Sequence, residues 1–259
     1  MTAILRATGQ MAAPLFAFAV LLVAWEVLVR VAQLPSFLLP APSEVVADTS
    51  RLGVVLALHT LATLKTVLAG FALSVVISLP LALALTSSQA LSNAIYPMLI
   101  LSQAIPKVAL APILVVMLGP TEAPRIIVTF LVAFFPLVIS CATGLLSVPA
   151  ELIELSRSLR ASKWQEFTRL RLPYALPHVF GGLKVAITLS VVGAVVGEFV
   201  AANQGLGYLI VSSTAFFKTP VAFGAMILLA IMGIVLFQIV AIIERRVVPW
   251  APKAGGIYG

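Results

Sequence analysis

Charged side chains are scarce in this sequence. Of its 259 residues, sixteen are Lys or Arg and nine are Asp or Glu, which is 10% of the chain. Soluble proteins carry about a quarter charged residues. Hydrophobic residues make up 61% of the chain, and the mean hydropathy is +1.15. This composition excludes a soluble globular domain.

Cysteine and histidine are rarer still. The single cysteine, Cys141, has no second thiol with which to form a disulfide or a metal site. The two histidines, His59 and His178, are far apart in sequence, which argues against a histidine-rich metal site. We therefore expect no metal and no cofactor on this chain.

Sequence patterns for catalysis and nucleotide binding are also missing. The chain has no serine–histidine, paired-aspartate or HExxH arrangement, so we expect no catalytic residue and no enzyme activity. It has no GxxxxGKS or GxxxxGKT loop to hold phosphates. If nucleotide energy is used, ATP and magnesium must be bound by another chain.

Long apolar runs take the place of charge. Residues 66–106, 126–150 and 219–243 contain no charged side chain. A membrane-spanning helix needs about 20 apolar residues. The sequence thus predicts an all-α integral membrane protein, with one transmembrane domain over residues 1–259 and about six transmembrane helices. The predicted spans are 14–31, 56–85, 94–118, 123–146, 176–200 and 220–243.

Two segments between the spans need a different interpretation. Residues 34–53 contain three prolines, and Ser43 is a candidate N-cap for a short surface helix. Residues 203–219 are apolar but shorter than a span, so we predict a re-entrant or interfacial segment there. The first apolar run lacks a small-residue cleavage site, and we expect it to be a retained helix.

Charge is concentrated in one stretch, ELIELSRSLRASKWQEFTRLRLP (151–173), which holds eight of the charged residues. Leu152, Leu155 and Leu159 recur at helical spacing and form one apolar stripe. Glu151 near the start and Arg157 near the end suit the helix dipole. We predict a first short amphipathic helix here.

A second short helix is predicted directly after the first. Ser162, which follows Ala161, is a candidate N-cap, and Trp164 and Phe167 lie three residues apart on one face. We expect Leu172-Pro173 to break the backbone before the next span. The pattern is typical of a loop that lies on lipid headgroups, and equally of helices that dock into a groove of a partner.

The distribution of Lys and Arg predicts the orientation. The charged stretch contains five cations, whereas the loops on the other side carry only scattered ones. Since Lys and Arg accumulate in cytoplasmic loops, we expect this stretch and both termini to be cytoplasmic. The net charge of +7 then reflects membrane topology, and we expect lipid rather than nucleic acid as a contact.

The same stretch resembles the EAA loop of ATP-binding-cassette (ABC) importer permeases, whose pattern is E-A-A-x3-G-x9-I-x-L-P. Glu154 matches the glutamate, and Leu172 and Pro173 match the final pair. The resemblance implies that residues 150–173 form a cytoplasmic coupling loop that docks on an ATPase subunit. Arg160 stands where the family has glycine, which suits a left-handed turn. Either Arg160 tolerates the strain of that conformation or the turn has another geometry in this chain.

Three further stretches extend the resemblance over residues 35–250. LSQAIPKVALAPIL (101–114), LPYALPHVFGGLKVA (172–186) and GEFVAANQGLGYLI (197–210) are similar to permeases for nitrate, sulfonate, taurine and pyrimidine-precursor uptake. The resemblance implies a type I importer in the bacterial inner membrane, carrying a small anionic or heteroaromatic solute by alternating access. Its partners would be a second permease chain, forming a homodimer, two ATPases and a periplasmic or lipid-anchored solute-binding protein.

Charged groups inside the predicted spans are candidates for the translocation path, because burying them in a membrane is costly. Each also has a structural interpretation, as an ion pair, a cap or an interfacial group. Two glycines after the intramembrane glutamate are candidates for a bend beside the path, or for an ordinary turn. The candidates are Lys65, Lys107, Glu198, Gly205 and Gly207.

An ion-coupled secondary transporter is the alternative. Intramembrane carboxylates and lysines would then relay ions, and proline-broken spans suit that class. The lack of a visible inverted repeat and the charged cytoplasmic stretch argue against it. Uptake by this chain alone, driven by an ion gradient, would favour this alternative.

Overall fold

The computed structural model describes residues 2–250, with side chains from residue 16 onward except those of Gln89 and Ala201. Residues 1 and 251–259, and with them the predicted placement of both termini, lie outside the described part. Between residues 2 and 250 the chain is helical and contains no strand. The helices are α1 (Thr2–Val31), α2 (Pro42–Ser50), α3 (Val54–Ser87), α4 (Gln89–Gln103), α5 (Leu110–Leu118), α6 (Glu122–Leu146), α7 (Ala150–Ser158), α8 (Lys163–Glu166), α9 (Leu172–Ala201), α10 (Leu206–Ala215) and α11 (Thr219–Val247).

The long apolar helices match the predicted spans. In the part of the chain that the structure describes, four helices are long and apolar enough to cross a membrane: α3, α6, the continuous helix Lys163–Val200 and α11. Helices α4 and α5 together give a fifth candidate, bent by 74° at its break. The first predicted span, 14–31, falls in α1, whose side chains are described only from residue 16.

Proline chemistry explains the bend between α4 and α5. Helix α4 ends at Gln103, and Pro106 begins a single 3₁₀ turn, Lys107–Ala109, before α5. Because proline has no amide hydrogen and disfavours helical backbone at the residue before it, the helix stops ahead of Pro106. The third predicted span therefore consists of two short helices that are separated at Pro106.

Helices α3, α6 and α9 form the centre of the molecule. Val67, Leu137 and Ile187, one from each helix, are almost fully buried. A Cβ added to Gly182 would lie 2.6 Å from the Cβ of Ser140 in α6, and one added to Gly193 would lie 2.7 Å from the Cα of Thr129. These close approaches hold α9 directly against α6.

Helix α2, which precedes α3, does not begin at the residue that the sequence predicts. The N-cap of α2 is Ala41, with Pro42 in the first turn, so the assignment of Ser43 as N-cap is wrong. Proline suits this position because the first helical amides have no intrahelical acceptor. Ser43 instead donates a 2.7 Å hydrogen bond to Glu26 of α1, and the two helices are joined there.

Candidate functional site

The charged stretch forms two short helices that meet at a sharp turn. Helix α7 starts after Pro149, with Glu151 in its first turn and Arg157 in its last, which suits the helix dipole as predicted. Helix α8 begins at Lys163 after a four-residue turn. We refer to residues 150–173 as the coupling loop.

The turn adopts the left-handed conformation that the resemblance implies, although it lacks the expected glycine. Arg160 has φ +56°, and Ala161 N–H donates to Ser156 O at 3.0 Å, which closes the end of α7. A non-glycine residue in this conformation costs about 1–2 kcal/mol. The Arg160 side chain is exposed, so burial of the side chain does not offset that cost.

Ser162 caps α8 as predicted. Its hydroxyl accepts a hydrogen bond from Gln165 N–H at 3.2 Å, while its own amide donates to Gln165 Oε1 at 2.8 Å. This reciprocal pair is a capping box. A four-residue helix at the surface of the protein thus has a fixed starting point.

Apolar side chains project from both helices of the coupling loop. Leu155, Leu159 and Trp164 are 54%, 74% and 71% exposed. The Trp164 and Phe167 rings lie 6.0 Å apart, and Phe167 is half-buried beneath the indole. Of the predicted leucine stripe, Leu152 faces the protein while the other two face outward. Glu154 is also exposed.

The predicted break at Leu172-Pro173 is wrong. Helix α8 continues through a π-helical turn, Phe167–Arg171, into α9, so the backbone is helical from Lys163 to Val200. Pro173 lies in the first turn of α9, and the wide turn before it accommodates the missing amide hydrogen. Pro177 lies inside α9.

A carboxylate that the sequence analysis did not single out stabilises this arrangement. Glu166 accepts hydrogen bonds from Arg171 at 2.8 and 2.9 Å and lies 3.7 Å from Arg157 of α7. The spacing of five residues between Glu166 and Arg171 brings them together only because the intervening turn is π-helical. The pair therefore depends on a backbone irregularity that regular helix spacing does not predict.

At the opposite end of α9, Glu198 is buried, with 1% of its surface exposed. Its Oε2 atom accepts hydrogen bonds from the Thr63 hydroxyl at 3.0 Å and from Gly207 N–H at 2.8 Å. Thr63 in turn accepts from Leu206 N–H at 2.7 Å, and Gly205 N–H donates to His59 Nδ1 at 3.0 Å. We refer to Glu198, Thr63 and His59 as the α10 clamp.

The α10 clamp satisfies three consecutive amides at the start of α10, which have no intrahelical acceptor. Oε1 of Glu198 has no hydrogen-bond partner among the described residues. His59 and Thr63 lie four residues apart on α3, and this spacing was the available sequence signal for a shared helix face. Neither residue was predicted from the sequence.

Both predicted glycines lie against the Glu198 side chain. Gly205 has φ +124°, and a Cβ there would overlap the carboxyl group. A Cβ on Gly207 would lie 2.9 Å from the Cβ of Glu198. Glycine is required at the first position by backbone conformation and by space, and at the second by space alone. Whether Glu198 and these glycines contact solute stays a prediction.

The two lysines predicted as path candidates and a third lysine, in α9, all have partners. Lys65 pairs with Glu122 at 2.8 Å, and Lys107 donates a hydrogen bond to the side chain of Gln103. Lys184 of α9 pairs with Glu244 of α11 at 2.8 Å. Within residues 2–250 no group of His, Cys, Asp and Glu side chains is arranged to hold a metal ion.

Comparison with known proteins identifies the family. The family of binding-protein-dependent transport system inner membrane components matches residues 74–251. The chain is 36% identical over 250 residues to the formylaminopyrimidine transport permease ThiX of Halalkalibacterium halodurans, covering 96% of this chain and all of the relative. It is 38% identical over 235 residues to the riboflavin transport permease RibX of Chloroflexus aurantiacus, covering 89% and 87%.

More distant relatives also belong to transport systems. The nitrate import permease NrtB of Synechocystis is 30% identical over 251 residues, covering 93% of this chain and 90% of that protein. An inward-facing structure of the MetNI methionine ABC transporter has a chain with the same fold, with TM-score 0.65 and 22% identity over 76% of this chain and 98% of that one. The family match favours an ABC permease over the ion-coupled alternative. With 178 of its residues matched and its fold shared, this chain belongs to the inner-membrane permease family of binding-protein-dependent ABC transporters.

Proposed function

We propose that this permease is driven by a separate ATPase that grips the coupling loop, and that α9 carries the movement to the α10 clamp. The observation that carries the proposal is the exposure of Leu155, Leu159 and Trp164 on one short, braced element. Large apolar side chains exposed together mark a protein interaction site.

The geometry of the loop suits a lever. Glu166 joins α7 to the π-helical turn, so the two short helices move as one unit. That unit continues without a break into α9. Because a helix rises about 1.5 Å per residue, the helix from Lys163 to Val200 is roughly 55 Å long. A displacement of the loop is thereby transmitted across the membrane to Glu198.

The proposed assembly contains two permease chains, two ATPases that bind ATP and magnesium, and an external solute-binding protein. We place the coupling loop in the cytoplasm. The indole of Trp250, just after α11, donates to Pro173 O at 3.4 Å, so the end of α11 lies beside the loop. The cations Arg245 and Arg246 then lie on the same side as the loop, in keeping with the positive-inside rule.

The proposed cargo is a small heteroaromatic or anionic solute. The relatives at 36% and 38% identity are named for formylaminopyrimidine and riboflavin, and the one at 30% is named for nitrate. We favour a heteroaromatic solute because those two relatives are the more similar. Lys107 and Glu198 are the proposed polar groups near its path.

The test is replacement of Leu159 and Trp164 together by alanine. A buried aromatic anchor contributes about 2 kcal/mol or more to an interface, so binding of the ATPase should weaken about 30-fold or more. The measurements are co-purification of the ATPase with the full-length permease, and ATP-dependent uptake in proteoliposomes that contain the binding protein.

Val54→Ala is the matched control, since Val54 is 76% exposed at the opposite end of the molecule. It should leave co-purification and uptake unchanged. Exchange of Glu154 for lysine should uncouple hydrolysis from uptake. Normal ATPase binding and uptake by the Leu159/Trp164 variant would rule out the coupling loop as the ATPase contact.

A further inference from the structure

A cavity of about 560 Å³ lies at the end of the molecule opposite the coupling loop. Helix α2 forms one wall, and the junction of α10 with α11 forms the other. The volume falls within the range of about 300–1,000 Å³ that is usual for small-molecule sites. Its lining includes Ser36, Arg51, Leu209, Ser213, Phe217 and Lys218.

Contacts at the edge of the cavity and beside it hold its two walls together. The Thr219 hydroxyl donates to Phe37 O at 2.8 Å, and the Phe37 and Phe217 rings meet edge to face at 6.1 Å. On the other side of α2, Thr49 is seated against Gly224 of α11, where any Cβ would overlap the threonine. The cavity is therefore preformed, as small-molecule sites usually are.

The cavity combines an apolar floor with an excess of positive charge. Leu52, Leu209 and Val221 supply apolar surface. Arg51 pairs with Asp48 at 2.8 Å, which leaves Lys218 as the uncompensated charge. Among the described side chains, Lys218 has no ion-pair partner within 4 Å. An ammonium group at the rim of an apolar cavity attracts an anion that carries an apolar body.

The backbone at the cavity rim is strained. Phe217 has φ +57°, and Lys218 N–H donates to Ser213 O at 2.8 Å to close the end of α10. A bulky residue in this conformation is an outlier that costs about 1–3 kcal/mol. The turn places the exposed Phe217 ring next to Lys218, and glycine at this position would remove the strain but also the ring. Such strain is found preferentially at binding sites.

We propose that this cavity binds a small organic anion with an aromatic or other apolar body. Lys218 pairs with the anionic group, and the ring of Phe217 and the leucine floor contact the body of the ligand. Two sources have this chemistry: a water-soluble aromatic acid and an anionic phospholipid. The site is separate from the coupling loop and the α10 clamp, and its occupation requires no ATPase.

The test is titration of 4-fluorobenzoate into the full-length permease in phosphatidylcholine nanodiscs, followed by the ¹⁹F line width. Lys218→Gln should weaken binding about fivefold, the effect of losing one exposed charge contact. Arg246→Gln, which removes an exposed cation at the other end of α11, should leave binding unchanged. The neutral analogue 4-fluorobenzyl alcohol should bind more weakly than the acid.

The variant Phe217→Gly tests the binding of 4-fluorobenzoate separately from the stability of the protein. This variant should bind 4-fluorobenzoate more weakly while its melting temperature stays the same or rises. Repeating the titration in nanodiscs with phosphatidylglycerol assigns the source. If phosphatidylglycerol competes with 4-fluorobenzoate and Lys218→Gln abolishes that competition, the natural ligand is a phospholipid. If phosphatidylglycerol leaves the binding of 4-fluorobenzoate unchanged, the natural ligand is a soluble anion. The proposal would be overturned if 4-fluorobenzoate did not bind, or if it bound equally well to the wild type and to Lys218→Gln. Neither result would bear on the proposed contact between the coupling loop and the ATPase.

Discussion

Four glycines allow the α10 clamp to be tested by adding a single methyl group at each. Gly205 has a positive φ and lies against the Glu198 carboxyl group, whereas Gly207 has no positive φ and lies against the Glu198 side chain and the carbonyl oxygen of Val195. Gly53 has φ +50° with no atom within 4 Å of an added Cβ, and Gly181 has neither restriction. Alanine at these four positions thus separates backbone strain from steric overlap.

The expected losses in the free energy of unfolding follow from backbone strain and steric overlap. Gly53→Ala carries strain alone, about 1–3 kcal/mol. Gly207→Ala forces the buried glutamate to move, which costs about 1–3 kcal/mol. Gly205→Ala combines both terms and should cost roughly 3–5 kcal/mol. Gly181→Ala lies in the middle of α9 and should be neutral or stabilise by up to about 1 kcal/mol.

The assay is the melting temperature of the purified full-length permease. For a protein of this size each kcal/mol corresponds to about 2–4 °C. Removing the carboxyl group relieves the overlap, so Gly205→Ala combined with Glu198→Ala should destabilise less than the sum of the single changes. If Gly205→Ala is no worse than Gly53→Ala, or if the pair is additive, the close approach of Gly205 to Glu198 is refuted.

Three other predictions concern the coupling loop and the ion pair between α9 and α11. Arg160→Gly should raise stability by about 1 kcal/mol, seen as a higher melting temperature, by relieving the left-handed strain; no rise would contradict that strain. Glu166→Gln should weaken the contact with Arg171 and lower ATP-dependent uptake with little change in melting temperature, and normal uptake would exclude a bracing role. Lys184→Gln should cost about 1–3 kcal/mol because it leaves Glu244 unpaired, and Glu244→Gln added to it should restore part of the loss. The melting temperatures of the two variants test this pairing.

The sequence was a good guide where structure depends on composition and local pattern. The long segments without charged residues located the apolar helices, because burying a charged side chain in a membrane is costly at any position. Ser162 was recognised as a cap because capping depends on residues only three apart. The family pattern has a glycine suited to a left-handed turn at position 160 but left open whether an arginine adopts that conformation, and the structure shows that Arg160 does, with φ +56°.

The errors and omissions have a common physical origin. The break expected at Pro173 does not occur, because a π-helical turn before it leaves room for a proline. Glu166 was overlooked for the same reason, since its partner lies at π-helical spacing. Thr63 and His59 contact a segment more than 140 residues away, and no local pattern encodes that contact.

The coupling loop and the α10 clamp are connected because they lie at the two ends of helix α9. Helix α9 begins in the coupling loop and carries Glu198 in its last turn, so both sites lie on the same helix. Gly182 and Gly193 bring this helix so close to α6 that bending it there would force backbones apart. In the proposed mechanism the whole helix therefore slides or tilts. Such movement would alter the distance between Glu198 of α9 and Thr63 of α3, so the mechanism expects the α10 clamp to respond when the coupling loop is displaced.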